Sequence, residues 1–158
     1  MAPRPPRHRV NPRALRWWTV QAALTSAAAL LPQLVALELS DARWLVVTTS
    51  VTACLAAAYV LIMPSWRYRV HRWEADEHAV YTLAGWLHLE WRVVPISRIQ
   101  TIDIERTLLQ RLFGLATVTV TTASAAGPVR IVGLDAQEAD RLVRRLTAIT
   151  QADRGDAT

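Results

Sequence analysis

The sequence predicts an α+β protein in which an N-terminal two-helix transmembrane hairpin precedes a mostly antiparallel β domain capped by a C-terminal α-helix. Three observations carry this. Two long stretches, Trp17–Leu37 and Trp44–Trp66, contain no charged residue. After Pro64 the continuous apolar pattern gives way to short alternating runs, the mark of half-buried strands. Near the C-terminus, Leu142, Val143, Leu146 and Ile149 recur at helical spacing.

Composition supports an anchored small domain. The chain has 158 residues, 52% of them hydrophobic, and a formal net charge of +5, with all 18 basic residues arginine. The excess charge is N-terminal: Arg4, Arg7, Arg9, Arg13 and Arg16 precede the first apolar stretch without an acid among them, whereas basic and acidic residues nearly balance beyond Trp66. A nucleic-acid binder needs a positive face on a folded module or a long basic arm, and neither is present. The single cysteine, Cys54, lies within an apolar run, so a disulfide within the chain, a zinc knuckle and a redox pair are all excluded.

In order, the elements are a basic disordered cytoplasmic tail (1–14), transmembrane helix 1 (15–37), a short external loop (38–43), transmembrane helix 2 (44–64), a cytoplasmic domain (65–150) and a disordered tail (151–158). At 1.5 Å rise per residue, each apolar stretch covers about 30 Å, the thickness of a hydrocarbon core. The connector Glu38–Arg43 is too short to hold anything folded and makes the helices antiparallel. Five arginines before the first span, and Arg67, Arg69 and Arg72 after the second, place both termini in the cytoplasm of a multi-pass plasma-membrane protein. Trp17, Trp18, Trp44 and Trp66 stand where interfacial aromatic anchors belong. The first span is the weaker, holding Gln21, Thr25, Ser26, Pro32 and Gln33. Its apolar character nevertheless continues through Leu37, beyond the reach of a cleaved signal peptide. Small residues spaced by four, Ala22 with Ser26 and Ala53 with Ala57, are of the kind that lets helices approach closely.

In the domain, strands are expected at Arg67–Trp73, Ala79–Leu83, Trp86–Val94, Ile99–Glu105, Ala116–Thr122 and Val129–Val132, joined as hairpins. Trp86–Val94 alternates most cleanly, with Leu87, Leu89, Trp91 and Val93 on one side and His88, Glu90 and Arg92 on the other. In the closing helix, Asp135 stands at the N-cap with Glu138 three residues on. Arg141, Arg144 and Arg145 lie on its solvated face, partly paired with Glu138 and Asp140.

This order of parts resembles the bacterial pleckstrin-homology-like membrane proteins of the YdbS type. The resemblance covers nearly the whole chain and is most specific in Val94-Pro95-Ile96-Ser97-Arg98-Ile99-Gln100-Thr101-Ile102 and Leu108-Leu109-Gln110-Arg111-Leu112-Phe113-Gly114-Leu115-Ala116. It implies a pleckstrin-homology-like (PH-like) fold, an antiparallel sheet or barrel capped by a helix at the inner face of the plasma membrane, with no catalytic residues. Superfamily members that bind phosphoinositides use a basic loop between the first two strands. The loop assigned to that position here, Glu74-Ala75-Asp76-Glu77-His78, is acidic, so no such site is expected.

Catalytic motifs are missing: there is no G-x-S-x-G, Gly-rich phosphate loop or H-E-x-x-H. His88 and Glu90 share a strand face but lack a third metal ligand, so no metal or cofactor is expected. The expected function is therefore non-enzymatic: a membrane-anchored module making contacts with a related membrane protein or with a second copy. Two alternatives remain open, recognition of anionic membrane lipid and service as an accessory subunit of a transport or export system. The candidate lipid contacts are Arg13, Arg16, Arg67, Arg69 and Arg72. The candidate partner segment is Arg106, Leu108, Leu109, Arg111, Leu112 and Phe113, an apolar stretch flanked by arginines that interrupts the strand pattern.

Overall fold

The computed structural model describes residues 6–40, 42–123 and 127–155, of which 153–155 by backbone alone. Arg4, Asp41 and residues 156–158 of the expected C-terminal tail lie outside the described residues. The chain divides into two compact units, Leu15–Trp66 on the one hand and Met1–Ala14 with Arg67–Thr158 on the other.

The helical unit is formed by α1 (Arg13–Leu39) and α2 (Arg43–Val70), except for Arg13–Ala14 and Arg67–Val70 at their ends, which belong to the other unit. Asn11 leads into α1: its Oδ1 accepts the Arg13 N–H at 2.9 Å, and Pro12, in the turn before the helix, brings no N–H of its own to satisfy. Both helices are long and apolar enough to cross a membrane. Large apolar side chains such as Leu31, Val35, Leu55 and Leu61 are exposed, a surface suited to lipid rather than water. The polar residues of α1 turn inward along their own helix. Thr25 Oγ1 donates to the Gln21 carbonyl at 2.8 Å and Gln33 Nε2 to that of Ala29 at 3.1 Å, so these donors need no water. Ala22 is buried, but Ala53 and Ala57 are exposed, so the four-residue spacing does not make a contact face. The stretch Arg67–Val70, expected to open the first strand, is instead the end of α2. Arg67 and Arg69 stand in its last turn, where cations meet the negative end of the helix dipole.

The second unit contains two antiparallel sheets. The first has the order β1 (His8–Arg9), β2 (Arg72–Ala75), β3 (Ala79–Gly85), β4 (Leu89–Pro95). The second has the order β5 (Ile99–Glu105), β6 (Leu115–Thr122), β7 (Val129–Asp135). A 3₁₀ turn, Ile96–Arg98, leads from β4 to β5, and α3 (Leu108–Leu112) from β5 to β6.

The N-terminal segment was expected to be a disordered tail; among its described residues it is instead part of the sheet. His8 pairs with Trp73 and Arg9 with Arg72. Pro6 and Val10 are buried, and the Arg7 N–H donates to Glu74 Oε2 at 3.1 Å. The segment also ties the two sheets together. In β7, Leu134 faces Ala116 while Val132 faces Thr117, leaving Gly133 as a bulge at φ 84°, a conformation glycine adopts at little cost. The carbonyl of Gly133 accepts the Asn11 N–H at 3.0 Å. In chain order, the helical pair is thus inserted between the first and second strands of the domain.

The last element, α4 (Ala136–Gly155), runs past the expected end at residue 150. Asp135 Oδ1 accepts the Gln137 N–H at 3.0 Å, and Ala139, Leu142 and Leu146 are buried where α4 packs on β5, β6 and β7. Together with Leu115, Val118, Val120, Val129 and Leu134 they form the core, each large side chain contributing about 1.5–3 kcal/mol by its removal from water. The fold is the α+β, PH-like architecture read from the sequence.

Candidate functional site

The five arginines proposed as lipid contacts stand in different settings. Arg13 Nη1 is 3.5 Å from Asp135 Oδ2, an ion pair between the N-terminal segment and the end of β7. Arg72 lies in β2 opposite Leu83, and Arg67 is half-buried at the rim of a cleft. Arg69, in the second unit, and Arg16, in the helical unit, are exposed.

The proposed partner segment divides into two faces. Thr107 caps α3 in a reciprocal box: its Oγ1 accepts the Gln110 N–H at 3.3 Å, and Gln110 Oε1 accepts the Thr107 N–H at 3.0 Å. Gln110 is buried, and its Nε2 donates to Thr117 Oγ1 at 2.7 Å, fastening α3 to β6. Leu109 and Phe113 are half-buried. Arg111 is exposed, and Leu108 and Leu112, one turn apart, face outward at 74% and 75% exposure. Arg106 Nη2 binds Asp140 Oδ1 of α4 at 2.9 Å. The segment therefore both completes the core and presents a small apolar pair.

A cleft of about 430 Å³ opens between β3, β4 and β7, lined by Arg67, His71, Trp86, His88, Glu90, Arg92 and Arg130 among others. Its polar groups hold one another. Glu90 Oε1 accepts from Arg92 Nε at 2.6 Å, and Arg92 Nη1 donates to the Pro128 carbonyl at 3.0 Å. Arg130 Nη2 meets Glu105 Oε2 at 2.6 Å. The buried His71 donates Nδ1–H to the Arg67 carbonyl at 2.9 Å. Burial, reinforced by the neighbouring Arg67 charge, pushes its pKa from 6.5 down to about 4, so the ring is neutral at physiological pH. Among the described residues, no three His, Cys, Asp or Glu side chains converge as metal ligands.

The acidic loop Glu74–His78 contains the β2–β3 turn rather than the connection between the first two strands, because β1 precedes the helices. Asp76 Oδ1 accepts the N–H groups of His78 and Ala79 at 2.8 and 2.7 Å, closing the turn. The bond from Ala79, above all, holds the Asp76 carboxyl below its usual range.

The feature that sequence reading did not orient is the outer face of the first sheet. Register places Tyr81 opposite Val93, Leu83 opposite Trp91 and Gly85 opposite Leu89, so these side chains share one face. Trp73, Val80, Thr82 and Val94 on the other face are buried. The alternation of β4 is therefore real, but its apolar side looks outward: Leu89 is 52% and Val93 46% exposed, with Leu87 at the hairpin tip 87% exposed. Beyond β4 no further strand pairs among the described residues, leaving its edge open.

Two apolar helices inserted into a domain of four-stranded and three-stranded sheets with a capping helix define a membrane-associated PH-like protein. The model of a family described as "Bacterial PH domain" matches residues 22–150, and the chain belongs to this family as one of its membrane proteins. It is similar to the UPF0699 transmembrane protein YdbS of Bacillus subtilis (strain 168), with 30% identity over 156 residues, 94% of this chain and 97% of that relative. No solved structure matches.

Proposed function

We propose that this chain is a non-enzymatic module, anchored in the plasma membrane, that makes protein–protein contacts at the inner face with a related membrane protein or with a second copy. The observation that carries this reading is the outer face and open edge of the first sheet. Tyr81, Leu83, Leu89, Trp91 and Val93 form an apolar surface beside a strand with no neighbour among the described residues. An edge of this kind can take up a further strand through main-chain pairing, with side-chain contacts on its apolar face. Confinement to a membrane raises the effective concentration of each partner, so that a modest interface becomes populated.

Location at the inner face is supported by the arginines that flank both spans. The pairing of β1 with β2, which joins the segments before and after the helices, supports the same reading. The test is cross-linking in native membranes followed by purification of the tagged full chain. A specific cross-linked membrane protein, lost on Leu89→Asp with Val93→Asp, is the expected result; a monomer without companions sinks the reading.

A second reading, contact with anionic lipid, is favoured by the exposure of Arg16 and Arg69. Each such contact contributes on the order of 1 kcal/mol and would orient an already anchored domain rather than recruit it. In nanodiscs, anionic lipid should slow amide exchange around Arg69 in a salt-sensitive way, and equal exchange in zwitterionic and anionic discs rules the contact out.

A further inference from the structure

We propose that the partner at the open edge is a second copy of this chain, with two β4 strands pairing antiparallel about Trp91. The proposal rests on the protein-contact reading above and names its partner and register. Two identical strands that meet edge to edge with their faces matched are related by a two-fold axis passing through a residue position, because opposite side chains must share a face. Among the three centres in the middle of β4, at Glu90, Trp91 and Arg92, charge selects one.

Centred on Glu90, the pair sets Glu90 against Glu90 of the second copy; centred on Arg92, it sets Arg92 against Arg92. Both arrangements oppose like charges and are unfavourable. Centred on Trp91, Glu90 lies opposite Arg92 and Arg92 opposite Glu90, giving two complementary pairs. On the outer face the same centre puts Leu89 opposite Val93 twice and Trp91 opposite Trp91. This register thus joins opposite charges on one face and apolar groups on the other. Within one chain Glu90 and Arg92 already hold each other at 2.6 Å, with side chains 52% and 27% exposed. Antiparallel pairing lets each exchange or share its partner without leaving a charge alone. A groove of about 240 Å³ runs along β4, lined by Trp91, Val93, Pro95 and Arg98 and, from β6, β7 and the turn between them, by Thr122, Gly127 and Val129. The apolar surface left open on one copy becomes continuous across two, and the first sheet doubles from four strands to eight.

The test uses the full chain in native membranes with Cys54→Ser, which removes the only native cysteine. Opposite residues in an antiparallel pair have Cβ atoms about 4.5–5.5 Å apart, whereas two Leu89 residues in this register are offset along the strand by about 14 Å. Trp91→Cys should therefore form a disulfide-linked dimer under mild oxidation, and so should co-expressed Leu89→Cys and Val93→Cys. Leu89→Cys alone should not. Because loss of Trp91 can unsettle β4, a charge exchange provides the second arm. Glu90→Arg and Arg92→Glu should each abolish dimer recovered in detergent, and co-expression of the two should restore it as a mixed dimer.

A dimer with Leu89→Cys alone, or no rescue by the mixed charge variants, overturns the Trp91 register. Trp91→Cys captured by a different membrane protein overturns self-pairing while leaving the protein-contact reading intact. Absence of any captured protein, with a monomer in cross-linked membranes, removes both.

Discussion

His71 illustrates how one buried side chain sets a response to acid. Its folded pKa, about 4, lies below the value of 6.5 expected of the unfolded chain, so between these values the unfolded state binds the extra proton. Stability from this group is complete above pH 6.5 and is lost as pH falls toward 4, by about 3 kcal/mol in all. Thermal unfolding of the full chain in detergent should show this loss, and His71→Gln should flatten that part of the profile. Gly85 makes a different demand: at φ 145°, an added Cβ would run into the carbonyl oxygen of His88 across the β3–β4 turn. Gly127, at φ 79°, has nothing within 4 Å of an added Cβ. Gly85→Ala should therefore lower the unfolding midpoint well beyond Gly127→Ala, whose penalty of about 1 kcal/mol comes from backbone conformation alone.

Among the elements, α3 shows where stability and association separate. Gln110 is buried and serves both the Thr107 cap and Thr117, so Gln110→Ala should destabilise by about 2–3 kcal/mol. Leu112→Ser on the exposed side should change stability by less than about 0.5 kcal/mol, as denaturant midpoints of the two variants would show. Sequence pattern read most elements correctly, since hydrophobic period and turn residues are local signals: Ile99–Glu105 agrees at both ends, and Asp135 caps α4 as expected. Three features depended on other information. His8–Arg9 has too few residues to show a period and is recognisable only through its pairing with Arg72 and Trp73. Arg67–Val70 alternates like a strand but continues α2. For β4 the alternation revealed a strand, whereas which face is covered follows from what packs on it, and neither Leu89 nor Val93 is buried. Of the proposed site residues, α3 was found as an irregular apolar segment, while the gathering of Arg67, Arg92 and Arg130 around one cleft arises from contacts far apart in sequence.

At the scale of the whole molecule, the pairing of β1 with β2 across the inserted helices sets a topological condition: His8 and Trp73 can meet only on one side of a bilayer. Reporters fused before Met1 and after Thr158 should therefore give the same accessibility, and the flanking arginines predict that both are shielded from external reagents. Removal of residues 6–10 should leave both spans in place but expose the β2 edge, with faster amide exchange in Arg72–Ala75 and a lower unfolding temperature. The same arrangement bears on biogenesis. The ribosome makes β1 first, yet its partner strand emerges only after both greasy segments have been delivered to the insertion machinery. Pairing of β1 with β2 must wait for that step, and a nascent chain that leaves its second segment outside the lipid would strand β1 across the bilayer from the six strands that follow it. In a chain with both segments integrated, closure of the first sheet by β1 would therefore come as one of the last steps of folding.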